Sequence, residues 1–239
     1  MKNIAVIPAR SGSKGLKNKN IKLLNGKPLL VYSIEAALKS ELFDCVHVST
    51  DSDQYADIAR EYGANVPFLR EEELATDSAG TWDVLRRVVE QYKELGKTFD
   101  TVCLLQPTSP LRDGEDIQKA YQIYRKKEAD SVISVCEAEH SPLLCNVLDE
   151  EGSMQGFINM NKIGRRQELS KCYRLNGAIY IQRIELLMKK QDLYGERSYA
   201  YVMEKLHSVD IDDAFDFLMA EAALNYMENL RNQMHKEEN

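Results

Sequence analysis

Residues 4–21 read IAVIPARSGSKGLKNKNI, and this stretch decides the fold. It opens with a short apolar, β-branched run that is typical of a buried strand. The run passes at Pro8 directly into a loop rich in lysine, arginine and glycine. Further apolar runs of the same kind follow at residues 45–49, 66–69, 102–105, 132–135 and 177–181. The chain therefore starts with a strand and a basic loop, and four or more strands follow them.

The segments between these strands have the period of helices. Trp82, Leu85, Val89 and Tyr92 lie three or four residues apart and share one helical face, and a last helix starts near Asp213. Strands that alternate with helices predict an α/β fold of the Rossmann-like kind, with a mostly parallel sheet and helices on both faces. Ligands of such sheets bind at the carboxyl ends of the strands.

The alternation breaks at about residues 140–173, where polar residues and glycines show no clear period. We interpret this stretch as an insertion in a single domain that spans residues 1–239. It is either a surface excursion, a dimer contact or one wall of a substrate pocket.

The composition excludes several classes of protein. The 239 residues include 31 Lys and Arg against 38 Asp and Glu, and the net charge of −7 argues against a nucleic-acid-binding chain. The five cysteines form no C-x-x-C pair, which favours free thiols in a reducing cytoplasm. No apolar run approaches the roughly 20 residues that span a bilayer. We expect a cytoplasmic protein that does not insert into a membrane.

Basic residues are concentrated near the start of the chain, where every charged residue before Glu35 is a lysine or an arginine. Backbone N–H groups and cations at the end of a first strand can cradle a triphosphate. Neither G-x-x-x-x-G-K-[ST] nor G-x-G-x-x-G occurs, which argues against a P-loop hydrolase and an ordinary dinucleotide enzyme. On its residues alone, the loop is either a phosphate site or a solvated face.

Two further motifs carry polar groups that can bind ligands. In VDIDDAFD, residues 209–216, Asp210 and Asp212 alternate around Ile211 and point to one side of an extended segment, as a Mg²⁺ site requires. The alternative is that Asp212 or Asp213 caps the last helix. In LLQPTSPLR, residues 104–112, Gln106 is the first polar group after a strand and can bind a sugar hydroxyl or carboxylate, unless the segment is merely a rigid loop.

Together these motifs resemble the N-acylneuraminate cytidylyltransferases, also called CMP-sialic acid synthetases. The resemblance covers nearly the whole chain, with the motifs in the same order, and is weakest between residues 140 and 165. The matching segments are IPARSGSKGLKNKNI (7–21), VSTDS (48–52), FLREEELATDSAGT (68–81), LLQPTSPLR (104–112), RLNGAIY (174–180) and SVDIDDAFD (208–216).

The resemblance implies a role for individual residues. The positions expected to bind the nucleotide are Arg10, Gly12, Ser13, Lys14, Lys19, Asn20, Arg70, Ala79 and Thr81, with the last three near cytosine and ribose. The positions expected to bind the acceptor sugar are Gln106, Arg166, Arg174, Asn176 and Tyr180. Asp210 and Asp212 are the expected metal ligands, and Lys14, Arg10 and Asp212 the expected catalytic residues.

The implied reaction transfers CMP from CTP to the anomeric hydroxyl of a nonulosonic acid and releases pyrophosphate. N-acetylneuraminate is the expected acceptor, Mg²⁺ the expected cofactor and a homodimer the expected assembly. The alternatives are activation of legionaminate or another 3-deoxy sugar acid, and a nucleotide-binding module without turnover. Relatives often carry a lysine after a histidine-proline stretch, whereas residues 140–147, HSPLLCNV, contain none. The general base stays open between a metal-bound hydroxide, a carboxylate outside the site and loss of the proton to water.

Overall fold

The computed structural model describes residues 1–12, 15–76, 78–158 and 170–237. Its centre is a six-stranded sheet in the order β4-β1-β5-β7-β6-β8, in which β7 runs antiparallel to β5 and β6 while the other neighbours are parallel. The predicted mostly parallel sheet is therefore confirmed. The strands are β1 Asn3–Pro8, β4 Cys45–Ser49, β5 Thr101–Leu104, β6 Ser131–Glu137, β7 Tyr173–Arg183 and β8 Ser198–Val202, with a small hairpin of β2 Leu23–Leu24 and β3 Lys27–Pro28.

Helices cover both faces of the sheet, as the alternation of elements predicts. The helices are α1 Leu29–Lys39, α2 Asp53–Glu61, α3 Thr81–Glu94, α4 Gly114–Lys126, α5 Ile184–Met188 and α6 Ala214–Glu237. Ala5 and Ile7 of β1 pack with α1, α2 and α4 on one face, while Ile4 and Val6 pack with α3 and α5 on the other. Successive strand residues point to opposite faces, so one strand contributes to a first and a second core.

The prediction of a strand at residues 66–69 is wrong. Only an isolated bridge joins Asn65 to His47, and the chain then turns toward the cleft at Arg70. Val66 is buried and Phe68 packs on the second core, so the apolar run reflects burial rather than a ladder.

The last helix begins near its predicted position, but the apolar face that the sequence predicts, with Phe215, Leu218 and Tyr226, is exposed. Phe215 and Leu218 are 68% and 60% exposed, whereas Phe217 and Ala220 are buried. Within the described residues, no helix combines the length and the apolar character that a membrane span needs.

The interrupted stretch after β6 contains, in its described parts, a short 3-10 turn at Pro142–Leu144 and irregular chain. Residues 159–169 of the expected insertion lie outside the described residues.

Candidate active site

A cleft of about 570 Å³ opens at the carboxyl ends of β1 and β5. The chain runs from β1 outward to β4 and then returns past β1 to β5, so the strand order reverses beside the cleft. Its wall consists of Pro8, Arg10, Gly15, Lys19, Asn20, Arg70, Leu74, Thr76, Ala79, Thr81, Val84, Gln106, Pro107, Thr108 and Asp212. Many of the residues predicted to bind the nucleotide therefore meet in one place.

The basic loop after β1 is held at both ends by hydrogen bonds. Asn20 donates through Nδ2 to the Arg10 carbonyl over 3.0 Å, and Arg10 donates to the carbonyl of Gly12, whose φ is +84°. Asp51, which follows β4, accepts from both the Ser11 N–H and the Ser11 hydroxyl at 2.7 Å. The loop consequently turns back on itself beside the cleft. Ser13 and Lys14, predicted for phosphate binding and catalysis, lie outside the described residues.

Lys19 connects this loop to the segment that follows residue 208. Its Nζ donates to the Ile211 carbonyl over 2.7 Å and lies 3.5 Å from Oδ1 of Asp212. Gly15 approaches the same segment so closely that a Cβ there would lie 2.7 Å from the Asp212 carbonyl oxygen. The basic loop and the aspartate pair therefore pack directly against each other.

The two aspartates occupy different environments. Ile211 between them is fully buried, and its N–H donates to the Thr108 carbonyl over 2.8 Å. Burial and the charge of Asp212 raise the pKa of Asp210, opposed by a hydrogen bond from Thr108 and the charge of Lys19. Oδ1 of Asp210 is buried and has no hydrogen-bond partner among the described residues. A shielded, unused carboxylate oxygen is what an oxygen-seeking cation requires.

The helix-capping alternative applies to the neighbouring aspartate rather than to the pair. Oδ1 of Asp213 accepts from the N–H groups of Phe215 and Asp216 at the start of α6. Asp216 in turn accepts from the N–H groups of Asp212 and Asp213. The side chain of Asp212, 83% exposed, stays directed toward Lys19 and the cleft. Asp210 and Asp212 thus fit a two-carboxylate Mg²⁺ site that substrate phosphates would complete.

A further cation of the cleft wall, Arg70, is anchored to the end of β4. Arg70 donates through Nε to the Ser49 hydroxyl and through Nη2 to the Ser49 carbonyl, at 3.0 and 2.7 Å. Burial and the nearby charge of Arg10 lower the pKa of Arg70 to about 10, against the effect of Asp51. Arg70 therefore stays protonated at neutral pH and faces the cleft beside Arg10.

The start of α3 forms the opposite wall. Ala79 and Thr81 line the cleft at this helix N-terminus, with Val84 one turn further on. The partial positive charge of a helix N-terminus favours anionic groups. The cleft is thus positive on three sides, although the net charge of the chain is −7.

Gln106 and Asp210 converge on the backbone of Gly177. A Cβ at Gly177 would lie 2.5 Å from Oε1 of Gln106 and 3.1 Å from Oδ2 of Asp210, and the φ of this glycine is +73°. Glycine is needed here both for its conformation and for its lack of a side chain. The amide predicted to bind the acceptor therefore lies next to a predicted metal ligand.

Other residues predicted to bind the acceptor do not line this cleft. Asn176 is only 1% exposed; it accepts from the Ser134 hydroxyl at 2.6 Å and donates to the Ser208 hydroxyl at 2.9 Å. The buried amide of Asn176 is therefore engaged with other side chains of the protein and does not face the cleft. Arg174 is exposed and lies beside Glu139 at 3.4 Å.

Tyr180 is half-buried on β7, where its ring meets that of Trp82 edge to face at 6.1 Å between centroids. Burial raises its pKa, and the charges of Tyr194 and Asp210 add to the shift. Arg166 lies outside the described residues. Among the described residues, Gln106 is therefore the only predicted acceptor-binding residue that lines the cleft.

A comparison of the sequence with family profiles matches residues 4–238 to the family described as cytidylyltransferase. The chain belongs to the cytidylyltransferase family. It is 39% identical over 248 residues to the N-acylneuraminate cytidylyltransferase of Escherichia coli O18:K1:H7, and the match covers all of this chain and 58% of that protein. Against the Streptococcus agalactiae serotype V enzyme of the same name the figures are 40% identity, 91% of this chain and 52% of that protein. The chain thus spans little more than half the length of these relatives.

Another cytidylyltransferase relative matches over nearly its whole length. The CMP-N,N'-diacetyllegionaminic acid synthase of Legionella pneumophila is 39% identical over 225 residues, which cover 92% of this chain and 95% of that protein. Among solved structures, a CMP:2-keto-3-deoxy-manno-octonic acid synthetase complexed with CTP superimposes with a TM-score of 0.71 at 18% identity, covering 95% of this chain and all of that chain. At that identity the superposition establishes the shared fold.

Sequence reasoning missed several residues that build this cytidylyltransferase cleft. Asp51, Gly15 and Gly177 lie within the recognised motifs, but nothing in their spacing shows which backbone they approach. For Gly177 the flanking apolar strand is a usable signal, because a glycine inside a strand often marks a close approach. The partner that approaches, the Gln106 amide, becomes visible only in three dimensions.

Proposed function

We propose that this chain transfers CMP from CTP to the anomeric hydroxyl of a nonulosonic acid and releases pyrophosphate. The observation that carries the proposal is the contact of Lys19 with the aspartate segment, which brings the cations of the cleft beside Asp212 in its wall and Asp210 two residues earlier. Membership of the cytidylyltransferase family and the names of the relatives support CTP as the nucleotide donor.

In the proposed reaction the acceptor hydroxyl oxygen attacks the α-phosphorus of CTP in line with the oxygen that bridges to the β-phosphate. The bond from the α-phosphorus to this bridging oxygen breaks, pyrophosphate leaves with the electron pair, and the hydroxyl proton passes to the general base or to water. Arg10 and Lys19 of the basic loop neutralise negative charge on the triphosphate, while Arg70 and the start of α3 lie where cytosine and ribose are expected. Gln106 hydrogen bonds the acceptor and orients it toward the phosphorus. These groups bind and position the two substrates, which is the main source of rate in phosphoryl chemistry.

The test of the reaction is pyrophosphate release from the purified chain with Mg²⁺. CTP, UTP, ATP and GTP are each paired with N-acetylneuraminate, N,N'-diacetyllegionaminate, pseudaminate and 2-keto-3-deoxy-manno-octonate. Of the four nucleotides, we expect only CTP to support turnover, and we expect N-acetylneuraminate to be the preferred acceptor. A preference for the legionaminate would keep the reaction and change the acceptor, a result that the length-matched Legionella relative favours. Binding of CTP without pyrophosphate release in the presence of any of the four acceptors would contradict the enzymatic proposal.

The contribution of the loop is tested by a pair of variants. Lys19→Ala removes the cation that contacts Ile211 and Asp212, and we expect kcat/KM for CTP to fall about 10²-fold. Lys17→Ala removes an equal charge from the same loop at an exposed position outside the cleft wall. We expect the Lys17 variant to stay within about twofold of the parent. Equal losses in both variants would show a general charge effect in place of a site.

We propose that Mg²⁺ is the cofactor and that Asp210 and Asp212 hold it. When bound, the cation would neutralise and orient the phosphates of CTP. Asp212→Asn is expected to shift the dependence of rate on Mg²⁺ to concentrations about tenfold higher. Asp213→Asn is the matched control, because asparagine retains the capping of α6 and the changed carboxylate is one residue away. Unaltered metal dependence in Asp212→Asn would exclude this site.

We infer in addition that the protein assembles as a homodimer in the cytoplasm. Apolar side chains of the inserted stretch are exposed, among them Val147 at 89%, Met154 at 63% and Leu148 at 53%. Val147 and Leu148 are adjacent in the sequence, and exposed apolar side chains next to each other favour a protein interface. All five cysteines are unpaired, in keeping with a reducing compartment. Sedimentation of the parent chain and of Val147→Asp tests the interface, and a monomeric parent would refute the dimer.

A further inference from the structure

Arg112 is a fully buried arginine that forms no ion pair within the part of the chain that the structure describes. Its side chain is 2% exposed, and its guanidinium donates to the Gln106 carbonyl at 3.3 Å, the Ala178 carbonyl at 3.0 Å and the Ser33 hydroxyl at 2.6 Å. Burial lowers its pKa to about 10, so the group stays charged at neutral pH. A buried charge without a carboxylate partner is costly, and the cost calls for a function.

The acidic residues near Arg112 are already engaged elsewhere. Asp116 accepts from Tyr201 and His207, and Asp113 caps the start of α4. The guanidinium is therefore matched to backbone carbonyls rather than to a counter-ion. Nη1 of its planar fork donates to both carbonyls, and Nη2 donates to the Ser33 hydroxyl. A lysine has a single nitrogen at its tip and cannot occupy both positions of the fork.

The two carbonyls belong to strands that have just parted. The ladder between β5 and β7 pairs Leu104 with Tyr180 as its last step. Gln106 and Ala178 would form the next step two residues on, but here both carbonyls accept from Arg112. The Ser33 hydroxyl, on α1, also donates to the Gln106 carbonyl at 3.2 Å. Arg112 thus bridges the two strands at the edge of the cleft.

The bridged residues carry the converging groups of the site. Gln106 lines the cleft, and Ala178 follows Gly177, against which the Gln106 amide and the Asp210 carboxylate pack. A shift of either carbonyl would move the Gln106 amide relative to Asp210. We propose that Arg112 is a positioning residue, which fixes the Gln106 side chain for the acceptor sugar by holding the carbonyls of Gln106 and Ala178. This inference rests on the proposed transfer to a nonulosonic acid.

The kinetic test uses Arg112→Lys, Gln106→Ala and the double variant. Arg112→Lys keeps the charge but not the fork, and we expect its KM for the acceptor to rise about tenfold while the KM for CTP stays within about twofold. The double variant should be no worse than Gln106→Ala alone, because both changes remove the same interaction. Additive losses, or an equal effect on both substrates, would overturn the proposal.

Thr101→Val is the control for simple destabilisation. Its hydroxyl forms buried hydrogen bonds with Asn3 and Tyr121 at the opposite end of β5. This variant should lose thermal stability and keep the KM for both substrates. If Arg112→Lys does not fold, Ser33→Ala removes one donor to the Gln106 carbonyl and should raise the acceptor KM in the same direction; an unchanged KM would then overturn the proposal.

Backbone hydrogen exchange separates this inference from the proposed function. In Arg112→Lys, the backbone amides of residues 105, 106, 108 and 109 and of residues 176–179 should exchange at least about tenfold faster, whereas Thr101→Val should leave them unchanged. Unchanged exchange in Arg112→Lys would overturn the bridging role even in an active enzyme. An inactive parent with faster exchange in the variant would refute the reaction and retain the bridge.

Discussion

Substitution of Gly177 by alanine tests the geometry of the cleft most directly. The added Cβ would lie 2.5 Å from Oε1 of Gln106, whereas ordinary contacts begin at 3.4 Å, so the amide must retreat by about 1 Å. Misplacement of a binding group by about 1 Å can cost on the order of 10²-fold in rate. We therefore expect turnover of Gly177→Ala to fall about 100-fold, with a higher KM for the acceptor.

The same substitution has a separate effect on stability. An L-residue at a φ of +73° costs about 1–2 kcal/mol. For a chain of this size that corresponds to a decrease in Tm of about 2–8 °C. Gly96→Ala is the matched control, because Gly96 has a φ of +76° and nothing within 4 Å of its built Cβ. It should show the loss of Tm without the loss of turnover.

The assay is pyrophosphate release at saturating CTP with the acceptor varied, beside thermal unfolding of each variant. Steady-state rates within about twofold of the parent in a folded Gly177→Ala would refute the reasoning, because the Gln106 amide would then not act at this position. Equal kinetic losses in Gly96→Ala would refute it as well, since backbone strain alone would account for them.

Two further predictions concern residues outside the cleft wall. The hydrogen bond to Asp116 raises the pKa of His207, so this pair contributes stability below the ordinary histidine pKa and loses it as pH rises through the raised value. In urea unfolding, His207→Gln should therefore lower the free energy of unfolding by about 1–2 kcal/mol at pH 6 and by less at pH 9, and an equal difference at both would contradict the assignment. Asp51→Asn loses one of two charge-assisted bonds to Ser11 and should raise the KM for CTP about tenfold. The exposed Asp53→Asn should leave it unchanged, and a normal KM in Asp51→Asn would show that the loop does not need this anchor.

The sequence predicted the layered sheet because apolar runs and helical periods report burial directly. It did not predict that β7 runs antiparallel, since an apolar run looks the same in either direction. It wrongly predicted a strand at 66–69, because an apolar run indicates burial whether or not the chain joins a sheet. For α6 it identified a common face that includes Phe215 and Leu218, but periodicity does not say what a face contacts, and this one is exposed.

For the site, the sequence identified the motifs that form the cleft better than it identified which side chains of each motif face it. Arg10, Lys19 and Arg70 line one cleft as the motifs imply. Asn176 belongs to the same motif as Gly177, yet its side chain points into the protein interior and forms hydrogen bonds with the hydroxyls of Ser134 and Ser208. Which side of β7 faces the cleft depends on strand pairing that local patterns do not contain. Arg112 illustrates the same limit, because a charged residue in a turn motif gives no sign of complete burial.

The hydrogen bond from Lys19 to the Ile211 carbonyl joins residues that are 192 positions apart. During translation, the basic loop emerges from the ribosome long before the segment with Asp210 and Asp212 is made. A nascent chain that ends before residue 208 can form the early βαβ units but cannot complete the cleft. The proposed activity therefore depends on a late step of synthesis, and chains terminated before residue 208 should fold in part without acquiring it.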